Sequence, residues 1–174
     1  MVGRSPPTIE TERLRLRPFR KEDLDPWVAI LAKPDVSAYL GPPKSRSDLW
    51  LRLTSSVGQW YVQGYGGLMV ELRDTGTLVG NVSLFEAKRG LGFEGEPELG
   101  YIVDSAVHGQ GIGAEAVGAV LDWAEANMEP TPFWAIIDPA NPASHRLAKK
   151  AGFEKVGEDV YEGDVLDIVK RPAW

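Results

Sequence analysis

Glu98-Leu99-Gly100-Tyr101-Ile102-Val103, followed by the turn His108-Gly109-Gln110-Gly111-Ile112-Gly113-Ala114 and a helical run to Met128, decides the fold. The first segment is apolar on both faces, as a central strand covered above and below must be. After the turn, Glu115, Gly118, Asp122, Glu125 and Glu129 fall on one stripe at spacings of three and four, and most other positions are apolar. A helix packed on a sheet is expected there. Phe133 to Ile137 is a second doubly apolar strand. Strand, helix and strand together make a crossover of the parallel kind.

Toward the C-terminus, Asn141 to Ala151 reads as a short helix with Asn141 as its cap and Gly152 as its stop. Glu154 to Lys170 reads as a hairpin turned at Glu162-Gly163-Asp164. Toward the N-terminus, Leu68, Val70 and Leu72 alternate with Met69, Glu71 and Arg73, and Asp74-Thr75-Gly76 turns the chain into a partner strand from Leu78 to Glu86. Ser45 to Tyr61 is a helix with Ser45 or Ser47 as cap, and Lys21 to Lys33 another, ended by Pro34. Thr11 to Pro18 is a strand with Leu14 and Leu16 inward and Arg13, Arg15 and Arg17 on a wet face. Residues 1–8 read as a flexible arm and residues 9–174 as one domain. The order β, α, α, β, β, β, α, β, α, β, β predicts a mixed α/β sheet with antiparallel ends.

The 174 residues are 43% apolar and 25% charged, a globular balance. Zero cysteines exclude disulfides, a thiolate nucleophile and zinc–thiolate sites. Two histidines far apart in sequence argue against a metal site. A net charge of −6 argues against binding a nucleic-acid backbone. No apolar run approaches the ~20 residues of a membrane-spanning helix, and no leader pattern opens the chain. A cytoplasmic protein is expected, with no nucleic-acid or membrane partner.

The glycines of the 108–114 turn let backbone N–H groups approach a ligand, and the helix behind them adds about half a positive charge. That is a pyrophosphate site by its chemistry. A tight turn for helix–sheet packing is the plainer reading of the same glycines. Gly111-x-Gly113-x-x-Ala116 with Asp138 also fits a loose dinucleotide fingerprint. Only 36 residues follow Asp138, too few for the rest of a doubly wound sheet.

The segment Gly100 to Gly113 resembles the acetyl-CoA motif of the GNAT superfamily, Arg/Gln-x-x-Gly-x-Gly/Ala, with His108 where Arg or Gln is commonest. A second motif follows in Asn141-x-x-Ser144-x-x-Leu147-x-x-Lys150-x-Gly152-Phe153. Thr11-Glu12-Arg13-Leu14-x-Leu16-Arg17 and Glu98-Leu99-Gly100-Tyr101 are similar to the branch that acetylates N-terminal amines of ribosomal proteins. The resemblance implies a single-domain GNAT-like fold, a mixed and mostly antiparallel central sheet flanked by helices, with a splayed parallel strand pair at its centre.

It also implies acetyl-CoA as co-substrate, no metal, and a primary amine as acceptor, either a protein N-terminus or a small molecule. A homodimer stays open. The amides of Gly109, Gln110, Gly111, Ile112, Gly113 and Ala114, with His108 at the head of the turn, would hold the pyrophosphate. The edge at Tyr101, Ile102 and Val103 would meet the pantetheine arm, as would Asn141, and Lys150 a phosphate. Glu98 is the expected general base, with Glu96 the next candidate, and Ser144 the expected donor to the CoA sulfur. The usual donor position after the motif leucine is Ala148. A non-catalytic acyl-CoA-binding module is therefore the second reading.

Overall fold

The computed structural model describes residues 4–174. Their strands are β1 (Ile9–Glu10), β2 (Leu14–Arg17), β3 (Gly67–Leu72), β4 (Leu78–Phe85), β5 (Glu98–Val103), β6 (Phe133–Ile137), β7 (Glu154–Tyr161) and β8 (Asp164–Arg171). Their helices are α1 (Leu24–Leu31), α2 (Pro34–Ser37), α3 (Arg46–Gln63), α4 (Ile112–Asn127) and α5 (Pro142–Lys150). The strands form one eight-stranded sheet in the order β1-β2-β3-β4-β5-β6-β8-β7. Every pairing is antiparallel except β5 with β6. Among the described residues, no helix is long and apolar enough to cross a membrane.

Alternation along the strands sends side chains to two faces. Leu14, Leu16, Leu68, Val70, Val82, Leu84, Leu99, Phe133 and Ala135 join Ile112, Ala116, Val117, Val120 and Leu121 of α4 in one buried cluster. Met69, Leu78 and Ile102 join Leu24, Trp27 and Ile30 of α1 and Leu49 and Leu53 of α3 in the other. Helix α3 starts as its sequence dictates: the Ser45 hydroxyl accepts from the Asp48 N–H while the Asp48 carboxylate accepts from the Ser45 N–H. Such a reciprocal cap is worth about 1 kcal/mol.

Several local expectations are corrected. Of the expected Thr11–Pro18 strand only Leu14–Arg17 (β2) is extended in the sheet, and Ile9–Glu10 just before it (β1) folds back to pair with it. Arg17 does not face water. It is 4% exposed, with Nη1 and Nη2 each 2.8 Å from the two Asp23 oxygens and Nε 2.7 Å from Glu71 Oε2. The helix expected from Lys21 begins as a single 3-10 turn over Lys21–Asp23, and Pro34 opens α2 instead of only closing α1. Glu129 lies beyond the end of α4. Residues 1–3 of the expected arm lie outside the described residues, and the Arg4 N–H donates to the Trp60 carbonyl at 2.9 Å.

The parallel pair positions the site. Glu98 pairs with Trp134, the Trp134 N–H donates to the Pro97 carbonyl at 3.0 Å, and the pairing goes no further along β5. On its other edge β5 stays paired with β4 all the way to Val103. The two central strands therefore part just after Glu98, leaving the β6-side edge of Leu99–Val103 without a strand partner among the described residues.

Candidate functional site

Beyond the open end of this gap the chain makes one 3-10 turn, Ser105–Val107, and then enters the glycine turn. Gly109 and Gly111 have φ of +74° and +77°, a left-handed region that costs other L-residues roughly 1–2 kcal/mol. Gly111 is the residue before α4 and supplies no side-chain cap. Among the described residues, none of the amide N–H groups from Gly109 to Ala114 donates to a protein acceptor. Six donors at the positive end of a 16-residue helix are thus free. Gly113 answers a different need. A Cβ there would lie 3.1 Å from Leu147 Cδ1 and 3.4 Å from Val103 Cγ2, so its bareness lets α4 sit close to both α5 and β5. Ile112 presents only its backbone, since its side chain is buried in the core.

The turn is held from behind. Glu115 in the first turn of α4 accepts from the Thr11 hydroxyl at 2.5 Å, the Arg13 N–H at 3.0 Å and Arg13 Nε at 2.6 Å. Arg13 Nη1 then donates to the Gln110 carbonyl at 2.8 Å. Burial raises the Glu115 carboxyl, but the bonds from Thr11 and Arg13 outweigh it and hold the group below its ordinary value. His108 turns back on the strand and donates from Nε2 to the Val103 carbonyl at 2.9 Å, so this acceptor on the edge is already occupied. The Gln110 side chain reaches only the Ala106 carbonyl.

Across the gap, Asn141 caps α5. Its Oδ1 accepts from the Ser144 N–H and its Nδ2 donates to the Ser144 hydroxyl, each at 3.1 Å. The Tyr101 hydroxyl donates to the Ser144 carbonyl at 2.9 Å, bridging β5 to α5. Burial pushes the Tyr101 phenol up to about 12, with the bond to Ser144 pulling slightly the other way. Tyr101, Asn141 and Ser144 are therefore brought together, half-buried, while Lys150 is exposed at the far end of α5.

Glu98 sits at the point where the strands part. It is 3% exposed. Its Oε1 lies 3.4 Å from Arg89 Nη2, and its buried Oε2 has no partner among the described residues. Burial pushes the carboxyl up to about 7, against the pull of Arg89. Glu96 is placed differently, accepting from the Trp134 indole N–H. A buried carboxyl poised near neutrality beside a gap is chemically suited to take a proton.

The acetyltransferase (GNAT) domain model matches residues 13–154. The chain belongs to that family. This GNAT chain is 40% identical over 80 residues, 46% of its own length and 43% of the other's, to "Probable N-acetyltransferase YjcK" of Bacillus subtilis. It is 25% identical over 178 residues, 94% of its length and 97% of the other's, to "Uncharacterized N-acetyltransferase YoaA" of the same organism. A Bordetella pertussis protein assigned to the GNAT acetyltransferases has the same fold, with a TM-score of 0.84, 27% identity and coverage of 95% and 99% of the two chains. The solved complex of RimL, a ribosomal L7/L12 α-N-protein acetyltransferase, with coenzyme A shares the fold at a TM-score of 0.76 and 16% identity, over 95% and 98% of the chains. The protein is an acyltransferase, and its expected sheet with one splayed parallel pair is the one found.

Sequence reasoning on this GNAT chain missed Arg13 and Arg89. Alternation places Arg13 on a wet face, and no local pattern connects it to a glycine turn nearly a hundred positions away. Arg89 lies in a glycine-rich loop where no periodicity exists to orient it.

Proposed function

We propose that this acyltransferase is an acetyl-CoA-dependent N-acetyltransferase of the cytoplasm that acts on a primary amine, a protein N-terminus or a small molecule. The observation that carries the reading is the run of six free amides, Gly109 to Ala114, at the head of α4 beside the unpartnered edge of β5. Amides of this kind suit a pyrophosphate, and an open strand edge suits the amide-bearing pantetheine arm. The RimL complex with coenzyme A supports the same ligand by fold alone.

In this reading Glu98 takes one proton from the ammonium of the acceptor. The freed lone pair attacks the thioester carbonyl carbon, the C–N bond forms, and the C–S bond breaks. A strand amide near Ile102 steadies the oxyanion. One of the two protons left on the nitrogen leaves with the thiolate, the other stays on the product amide, and the proton on Glu98 passes to solvent. A thiol of pKa near 8.5 is a good enough leaving group to depart without a strong donor. That matters because Ala148 stands at the usual tyrosine position, the Tyr101 hydroxyl is bound to Ser144, and the Ser144 hydroxyl accepts from Asn141. Of the three, Ser144 keeps a free proton to give.

The same Ala148 favours the second reading, an acyl-CoA-binding module without turnover. Thiol release from acetyl-CoA, assayed with peptides bearing free N-termini and with short diamines, separates the two. Acceptor-dependent release that falls at least about a hundredfold in Glu98→Gln supports transfer with Glu98 as base. Acetyl-CoA binding with no release for any acceptor supports the module.

A further inference from the structure

The loop between β4 and β5, residues 86–97, folds back over Glu98. It uses left-handed backbone at Lys88, Gly90, Gly92 and Gly95 and is tied down by its own carboxylates. Glu86 accepts from the Gly95 N–H and Glu94 from the Gly90 N–H, each at 2.6 Å. Phe93 stacks on Trp134 with ring centroids 4.9 Å apart. Only about 10 Å³ of free space is left between the loop and Glu98, at most one water.

Arg89 fills that place. Its guanidinium carbon lies 5.1 Å from the Tyr161 ring centroid and 5.7 Å from that of Phe85. The rings and Glu98 therefore form a box with two aromatic faces and a carboxylate at its base, a general recipe for a cation. The fit of the guanidinium is poor. The ion pair is 3.4 Å long, outside good charge-assisted hydrogen-bond range, and both Arg89 Nε and Glu98 Oε2 are buried without partners. A buried carboxylate left half-satisfied is costly. A compact ammonium, with three donors on one nitrogen, can reach it more closely than a planar fork anchored on a loop.

We propose that Arg89 occupies the subsite of the acceptor: the acceptor amine enters as its ammonium cation, is received between Phe85, Tyr161 and Glu98, and displaces the Arg89 side chain. The proposal rests on the reading of Glu98 as the acceptor-side base. It makes the loop an internal competitor of the acceptor. A tethered side chain competes at an effective concentration of the order of millimolar, so removing it exposes the intrinsic affinity of the box.

The test uses n-propylammonium chloride as probe and n-propanol as its neutral counterpart, titrated into wild type and Arg89→Ala while the Trp134 indole N–H resonance is followed by NMR. Arg89→Ala is expected to bind propylammonium at least about tenfold more tightly than wild type. Propanol binding should not change, and adding Glu98→Gln should erase the gain. Equal affinity of wild type and Arg89→Ala for propylammonium, or an equal gain for propanol, overturns the proposal. Arg89→Gln carries the same comparison if thermal unfolding shows Arg89→Ala to be unfolded. Failure of the underlying reading is distinguishable: acceptor-dependent thiol release from acetyl-CoA would then be absent, or unchanged in Glu98→Gln, whatever propylammonium does.

Discussion

The hydroxyl of Tyr101 and the carbonyl of Ser144, 2.9 Å apart, join two elements that share no strand pairing. Tyr101 lies on β5 past the point where β6 leaves it, and Ser144 lies in the first turns of α5. One hydrogen bond thus spans the gap that the strands open. It also fixes the tyrosine as a donor to a carbonyl, which is a structural commitment.

Tyr101→Phe is expected to lower stability by about 1 kcal/mol, the usual worth of such a bond, in urea unfolding. Acceptor-dependent thiol release should stay within a few-fold of wild type, because a phenol pushed up to about 12 is a reluctant proton donor. A loss of kcat near a hundredfold would make Tyr101 the donor to the CoA sulfur.

Gly111→Val forces a β-branched residue to φ +77°, a strain of about 1–2 kcal/mol. It also places a side chain beside the amides proposed to face the pyrophosphate. The variant is expected to unfold at a lower Tm yet remain folded at 25 °C, and to lose acetyl-CoA binding. Retained affinity in the folded variant would remove the glycine turn from the ligand site.

Burial raises the Glu98 carboxyl to about 7 from an ordinary 4.5. A group raised on folding contributes stability that is fully present below the unfolded value and is lost as pH rises through the folded one. Between about pH 4.5 and 7.5 the wild type should therefore lose on the order of 2 kcal/mol that Glu98→Gln does not. Thermal unfolding of both proteins across that range checks it. Parallel curves would show that Glu98 ionises as an ordinary carboxylate.

Arg17→Leu strips the cation from Asp23 and Glu71, which are 6% and 4% exposed. Removing one partner of a buried ionic cluster costs about 3–5 kcal/mol. A destabilisation below about 1 kcal/mol at pH 7 would mean that water reaches the cluster freely.

Much of this architecture was legible in the chain because it is local. The capping pattern at Ser45, the double apolarity of Glu98–Val103 and Phe133–Ile137, and the glycines ahead of α4 each declare their element within a few residues. What was not legible depends on distant partners. Alternation put Arg17 opposite Leu16, correctly for face, but depth was decided by Asp23 and Glu71, which meet it only in the folded sheet. The insertion of β8 between β6 and β7 follows from packing and leaves no mark on either strand. In the same way, the sequence offers a ligand role for His108 and both a ligand role and a helix cap for Asn141; their side chains are engaged with the Val103 carbonyl and, as the cap of α5, with Ser144. Short-range hydrogen bonds of this kind compete with any ligand role and cannot be told from it by spacing.

The amides of Gly109 to Ala114 as the seat of a CoA pyrophosphate are the centre of the account, and calorimetric titration of the purified protein with acetyl-CoA, then CoA, then NAD, reaches them most directly. One acetyl-CoA per chain, similar affinity for CoA and none for NAD is the predicted result. No heat of binding with acetyl-CoA, or preferential binding of NAD, would contradict it.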